Sequence, residues 1–248
     1  MSGHNKWSTI KRRKGAQDAK RGKIFTRIIK EITIAARMGG GDPDGNPRLR
    51  RAIDAAKAAN MPNDNVDRAI KKGTGELEGV TYEELVYEGV GPFGLLFVME
   101  VMTDNRNRTA AEVRKLFDKA DGQLGQSGSA TWAFEQKGVI RLAKDAATEE
   151  KLFEVAVGAG AEDLEGDDEQ WTITTPRNEL DAVATAIEEA GVKVDEANLE
   201  WLPNTPREVD GEEARKLYAL YEALDDHDDV QSVFVDFELS DAAAAELE

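Results

Sequence analysis

Apolar residues near the start of the chain recur at three- and four-residue spacing. Phe25, Ile28, Ile29, Ile32, Ala35 and Ala36 form one stripe of a helix predicted over 18–38. Lys20, Arg21, Lys23, Arg27 and Lys30 fill most of its remaining surface, and Gly39 suits the stop. After a glycine-rich loop, Asn46-Pro47 offers an N-cap and an N1 proline for a second helix to about Asn60. Met61-Pro62 begins a third helix, ending near Lys72.

From Val80 the period changes. Residues 84–89 and 95–102 read as strands around the turn Gly91-Pro-Phe-Gly94. Thr109 with Glu112 reads as a capping box opening a helix to about Lys119. The stretch Gly122 to Gly128 reads as a loop and 130–135 as a strand, which leaves a ββαβ pattern unfinished. Residues 139–203 then give strand, helix, two strands, helix and strand, the βαββαβ order of a split βαβ fold. Beyond Pro203 and Pro206 come a helix over 212–224 and one alternating strand over 230–239, which complete the earlier ββαβ. The Ala-rich tail from Ala242 reads as a frayed end. The expected organisation is α+β in three parts: a helical domain over 1–76, a discontinuous domain over 80–135 plus 207–240, and an inserted ferredoxin-like domain over 137–204.

Charge changes this picture most. The 248 residues carry 32 Lys and Arg against 49 Asp and Glu, a net charge of −17. Residues 1–75 hold 18 basic and 7 acidic side chains, the remainder 14 and 42, so a +11 arm and domain sit on a −28 body. That asymmetry points to a polyanion bound at one end and repelled from the other. Cysteine is absent, which removes disulfides, thiol nucleophiles and Cys-ligated metals. The longest apolar run, 95–102, is far too short for a membrane span, and no signal-peptide pattern precedes Gly15; a cytoplasmic protein without a membrane partner is expected.

Enzyme chemistry finds little material. No phosphate-binding loop, GxGxxG, GxSxG or HExxH is present. His4 and His227 read as exposed, and Asp225-Asp-His-Asp-Asp229 as a solvated turn. No catalytic residue, metal, cofactor or small-molecule substrate is assigned. Nucleic-acid chemistry has more behind it. His4, Asn5, Lys6 and Trp7, followed by Lys11, Arg12, Arg13 and Lys14, place positive charge, amide donors and an indole in one short extension. Trp7 either stacks on a base or packs on the helical domain. Lys20, Arg21, Lys23 and Arg27 continue the basic face, and few acids lie near them in sequence to pair with. Asn105, Arg106 and Arg108 form a second candidate group just before a helix, where the dipole disfavours arginine unless an anion or Asp104 pairs with it.

At these residues the chain resembles the YebC family. The motifs are Gly3-His-Asn-Lys-Trp7, Ile10 to Lys14, Asp18-Ala-Lys-Arg-Gly-Lys-Ile-Phe25, Gly39-Gly-Gly-Asp-Pro43, Asn46-Pro-Arg-Leu-Arg50, Asn60-Met-Pro62, Arg68-Ala-Ile70, Tyr87-Glu-Gly89 with Gly91-Pro92, and Thr103-Asp-Asn-Arg-Asn-Arg-Thr109. They run in order from residue 2 to about 134; Asp121 stands where a second glycine beside Gly122 is expected. The resemblance implies an N-terminal helical domain plus two ferredoxin-like lobes. It implies a non-enzymatic regulator of gene expression, either a DNA-binding transcriptional regulator or a translation factor that assists stalled ribosomes. On charge geometry RNA or the ribosome is the expected partner, duplex DNA the alternative, and an acidic protein-interaction module the third reading. The exposed charge favours a monomer.

Overall fold

The computed structural model describes the backbone of residues 18–247 and the side chains of 22–246. Three helices come first: α1 (Asp18–Gly39), α2 (Pro47–Ala58) and α3 (Asn63–Thr74). Their shared core holds Ile32, Ala35, Ala36, Leu49, Ala56, Met61 and Val66, the stripe that the spacing predicts. Asn46 caps α2 as expected, accepting from the Leu49 N–H at 3.1 Å, while its amide donates back to the Ala35 and Gly40 carbonyls. Helices α1 and α3 approach so closely that a Cβ on Gly73 would lie 2.4 Å from the Thr33 carbonyl oxygen.

The first sheet contains β1 (Glu83–Val90), β2 (Leu96–Thr103), β3 (Gln123–Leu124) and β9 (Val230–Val235) in the order β3-β1-β2-β9, antiparallel throughout. Strand β2 alternates cleanly. Leu95, Phe97, Met99 and Val101 face α4 (Arg106–Lys119) and α7 (Gly211–Asp225), whereas Leu96 and Val98 pack with Phe134 and Trp201 on the opposite face.

The second sheet has the order β5-β6-β4-β7, from β4 (Phe134–Ala143), β5 (Asp163–Gly166), β6 (Gln170–Pro176) and β7 (Glu196–Pro203). With α5 (Glu149–Gly158) and α6 (Leu180–Glu189) on one face, this is the βαββαβ unit of the sequence reading. A small parallel pair, β8 (Arg207–Val209) with β10 (Phe237–Leu239), and α8 (Asp241–Leu247) complete the chain.

Several local expectations are corrected. Residues 130–135 are not a strand of the first sheet: 131–133 make a 3-10 turn, and β4 begins at Phe134 in the second sheet. The fourth strand of the first sheet is instead the two-residue β3, inside the stretch that reads as loop, held by pairs Gly89↔Leu124 and Val90↔Gln123. The order ββαβ followed by αβ therefore gives one split unit, β2–α4–β3 around β1, and the first sheet departs from the connectivity of its neighbour. The strand over 230–239 breaks at Asp236, whose carboxylate accepts from the Leu96 N–H at 2.7 Å. The tail is helical and buries Ala243. Among the described residues no helix is long and apolar enough to cross a membrane.

Candidate nucleic-acid interface

Helix α1 is basic on the side that meets the first sheet, and the structure gives that charge an internal partner. The Lys23 ammonium bonds the Asp225 carbonyl and the Asp226 carboxylate (2.9 Å to the latter). The Arg27 guanidinium bonds the same carbonyl and reaches the Asp225 carboxylate at 3.3 Å. One turn on, buried Lys30 donates to Asp229 Oδ1 at 2.6 Å, to the Asp228 carbonyl at 2.9 Å and to the Met102 carbonyl at 3.1 Å. Spacing of three and four residues places all three cations on one helix face, aimed at one acidic turn.

Asp229 is the centre of this contact. Its Oδ2 accepts from Arg108 at 2.7 Å, from Thr109 at 2.7 Å and from Thr103 at 3.2 Å. Burial by itself would raise the carboxyl, but the hydrogen bonds from Lys30, Thr109 and Arg108 outweigh it and hold Asp229 well below the usual carboxylate range. The Asp229 N–H donates to His227 Nδ1 at 3.1 Å, and His227 Nε2 lies 3.0 Å from Glu112. Glu112, His227 and Asp229 bring ligand-type atoms within 4.8 Å of one another. The arrangement is a hydrogen-bond network rather than a cation site, because Asp229 is already saturated by donors and flanked by two cations.

The candidate residues are thus sorted. His4, Asn5, Lys6, Trp7, Lys11, Arg12, Arg13 and Lys14 lie outside the described residues, as do the side chains of Lys20 and Arg21. Lys23 and Arg27, expected free for phosphate, are engaged with the acidic turn, whose residues stand about 200 positions away in sequence. That turn is a docking point for α1: Asp225 and Asp229 turn inward and His227 is largely buried, while Asp226 and Asp228 stay exposed as expected. Asn105 is the N-cap of α4, accepting from the Arg108 N–H at 3.1 Å, so the helix begins three residues before the expected Thr109. Thr109 is buried and its hydroxyl serves Asp229. Arg108 bonds Asp104 at 2.9 Å as well as Asp229, and these two carboxylates raise its guanidinium. Arg106 is exposed at the start of α4.

Local sequence reads Asp229 as part of a solvated turn, because both of its cationic partners, Lys30 and Arg108, come from distant elements. Two further ties join the helices to the lobes: Arg48 bridges Glu31 and Glu84, and Arg51 pairs with Asp181 on α6. Burial lowers the Arg48 guanidinium, but the two carboxylates more than restore it.

A cleft of about 1180 Å³ opens between the helices and the facing sheets, lined by Arg48, Glu84, Glu100, Arg141 and Glu200 among others. Burial first, then the charge of Glu31, pushes the Glu100 carboxyl up to about 7. The native state therefore holds a proton that the unfolded chain releases between about pH 4.5 and 7, and stability falls as pH rises through that window. Glu100→Gln is expected to match wild type near pH 4 and to exceed it by about 1–3 kcal/mol at pH 8, read from urea midpoints.

Comparison with known proteins settles the family. A sequence model described as the TACO1/YebC protein N-terminal domain matches residues 5–76, and one described as the TACO1/YebC second and third domain matches 82–237. The chain belongs to the TACO1/YebC family. This family member is 54% identical over 240 residues, 97% of each chain, to a probable transcriptional regulatory protein of Geobacter sulfurreducens. It is 52% identical over 249 residues to one of Chlorobaculum tepidum, covering 100% of this chain and 99% of that one. The crystal structure of a conserved hypothetical protein from Aquifex aeolicus superposes with a TM-score of 0.84 at 46% identity, covering 90% of this chain and 93% of that chain. The α+β architecture is shared with that structure, and the relatives' names support a YebC-type regulator.

Proposed function

We propose that this protein is a non-enzymatic regulator that binds RNA through its basic N-terminal arm, acting on the ribosome as a translation factor for stalled synthesis. One observation carries this reading: α1 spends Lys23, Arg27 and Lys30 on the acidic turn, so the cluster from Lys6 to Lys14 holds the densest charge left for a polyanion. A short cationic extension on a −28 body suits insertion among the phosphates of a folded RNA better than lying along a uniform duplex. Asn5 and Trp7 beside the cations suit unpaired bases.

A second reading, duplex DNA bound by a transcriptional regulator, is favoured by the relatives' names and by one local feature. Helices α2 and α3 are joined by only four residues, 59–62, with Asn60 at φ 55°, and α3 exposes Arg68, Lys71 and Lys72. That length fits a helix-turn-helix connection, whereas the α1–α2 loop is too long. Competition of a structured rRNA fragment against duplex DNA of equal phosphate number, at near-physiological salt, separates the two. The proposal expects the RNA to displace the protein from DNA at a lower concentration; preference for the duplex would reverse it.

A further inference from the structure

Two neighbouring segments of the first lobe contain no charged residue. In a chain with 33% charged residues, the hairpin from Gly89 to Met99 and the loop from Gly122 to Phe134 contain none. The two are neighbours, because β1 pairs with β3 at Gly89↔Leu124 and Val90↔Gln123. Each presents an aromatic ring to solvent: Phe93 is 51% exposed and Trp132 is 71% exposed.

The loop that carries Trp132 is pinned from below. Glu88 is 4% exposed, and its carboxylate accepts three backbone N–H groups of the loop, from Gly128 at 2.7 Å, Ala130 at 2.7 Å and Thr131 at 2.8 Å. Burial would raise this carboxyl, but the three donors hold it below its ordinary range. The chain thus uses a buried charge to fix the backbone directly before an exposed indole. The Trp132 Nε1–H donates to the Ser129 carbonyl at 3.1 Å, which satisfies the ring's one polar group and leaves its faces open. Phe93 occupies the left-handed region at φ 62°, ψ 12°, a conformation uncommon for a bulky residue outside functional sites. Lys216 stands 5.9 Å from the centre of its ring.

We infer that these two segments stack unpaired nucleobases, with Trp132 and Phe93 each serving as a separate platform. The inference rests on the nucleic-acid reading above and adds a second contact to it, distant in sequence from the basic arm. Removing every carboxylate from these two segments lets a polyanion approach an otherwise acidic body, and rigid aromatics cost little ordering on contact. Asn204, whose side-chain amide donates to the Trp132 carbonyl at 3.5 Å, and Gln126 and Ser127 of the same loop as Trp132 are uncharged and suit the edges of bases.

The test uses the full chain and a fluorescein-labelled single-stranded RNA of about a dozen nucleotides, matched by the same RNA as a duplex. Trp132→Ala is expected to weaken single-strand binding about 5- to 50-fold and leave duplex binding within about twofold, since paired bases offer no free face. Phe93→Ala behaves likewise, and Trp132→Tyr restores the affinity. Unchanged single-strand affinity in both alanine variants overturns the proposal and leaves an apolar protein contact as the use of the rings. An equal loss on single strand and duplex also overturns it, because the effect then lies in the fold. Alanine at Lys11, Arg12, Arg13 and Lys14 keeps the two readings apart. If that variant binds as wild type while Trp132→Ala does not, the arm assignment fails and the stacking surface stands; the reverse pattern fails the stacking surface alone.

Discussion

Asp229→Ala should cost about 3–5 kcal/mol of stability, the largest effect expected from any single substitution in this chain. The reason is what it leaves behind. Lys30 keeps its place in the interior with its carboxylate partner gone, and its two remaining acceptors are backbone carbonyls. Arg108 retains Asp104, but Thr103 and Thr109 lose their anchor. Urea unfolding gives the measurement; a midpoint within error of wild type would mean that the helical domain docks by other contacts. The sign with pH follows from the depressed carboxyl. Its stabilisation is fully present above the unfolded value near 4 and is lost as pH falls towards the folded one, so wild type and variant converge in acid. Salt should narrow the gap little, because the pair is buried.

The second large effect is on binding. Replacing Lys11, Arg12, Arg13 and Lys14 together by Ala removes four cations whose expected partners are phosphates. Affinity for RNA should fall by several kcal/mol at low salt, and the log–log salt dependence should become shallower by about one unit per lost phosphate contact. Stability should be unchanged within about 0.5 kcal/mol, since no described contact depends on these side chains. An unchanged slope would instead favour the acidic lobes as a surface for a basic protein.

How much of this was legible beforehand depended on the range of the interaction. Periodicity placed α1, and Asn46-Pro47 placed the start of α2, because caps and stripes are written within four residues. The βαββαβ unit was legible for the same reason. Strand β3 was not, since two residues held by a neighbour carry no period of their own. The start of β4 was missed because the Glu88-bound turn precedes it and masks its alternation. At the site, the pairing of Arg108 with Asp104 was visible as a spacing of four. The partners of Lys23, Arg27 and Lys30 were not: reading neighbours along the chain suggests free cations, while the fold brings Asp225, Asp226 and Asp229 to them. Trp132 left a subtler trace, thirteen uncharged residues in an acidic sequence.

The most direct test of an RNA-bound translation factor is sedimentation of lysate through a sucrose gradient at near-physiological salt, following wild type and the four-alanine arm variant. The account predicts that wild type migrates with the large subunit or whole ribosomes and that the variant stays at the top. Wild type remaining at the top, or a variant that still migrates with ribosomes, would contradict it.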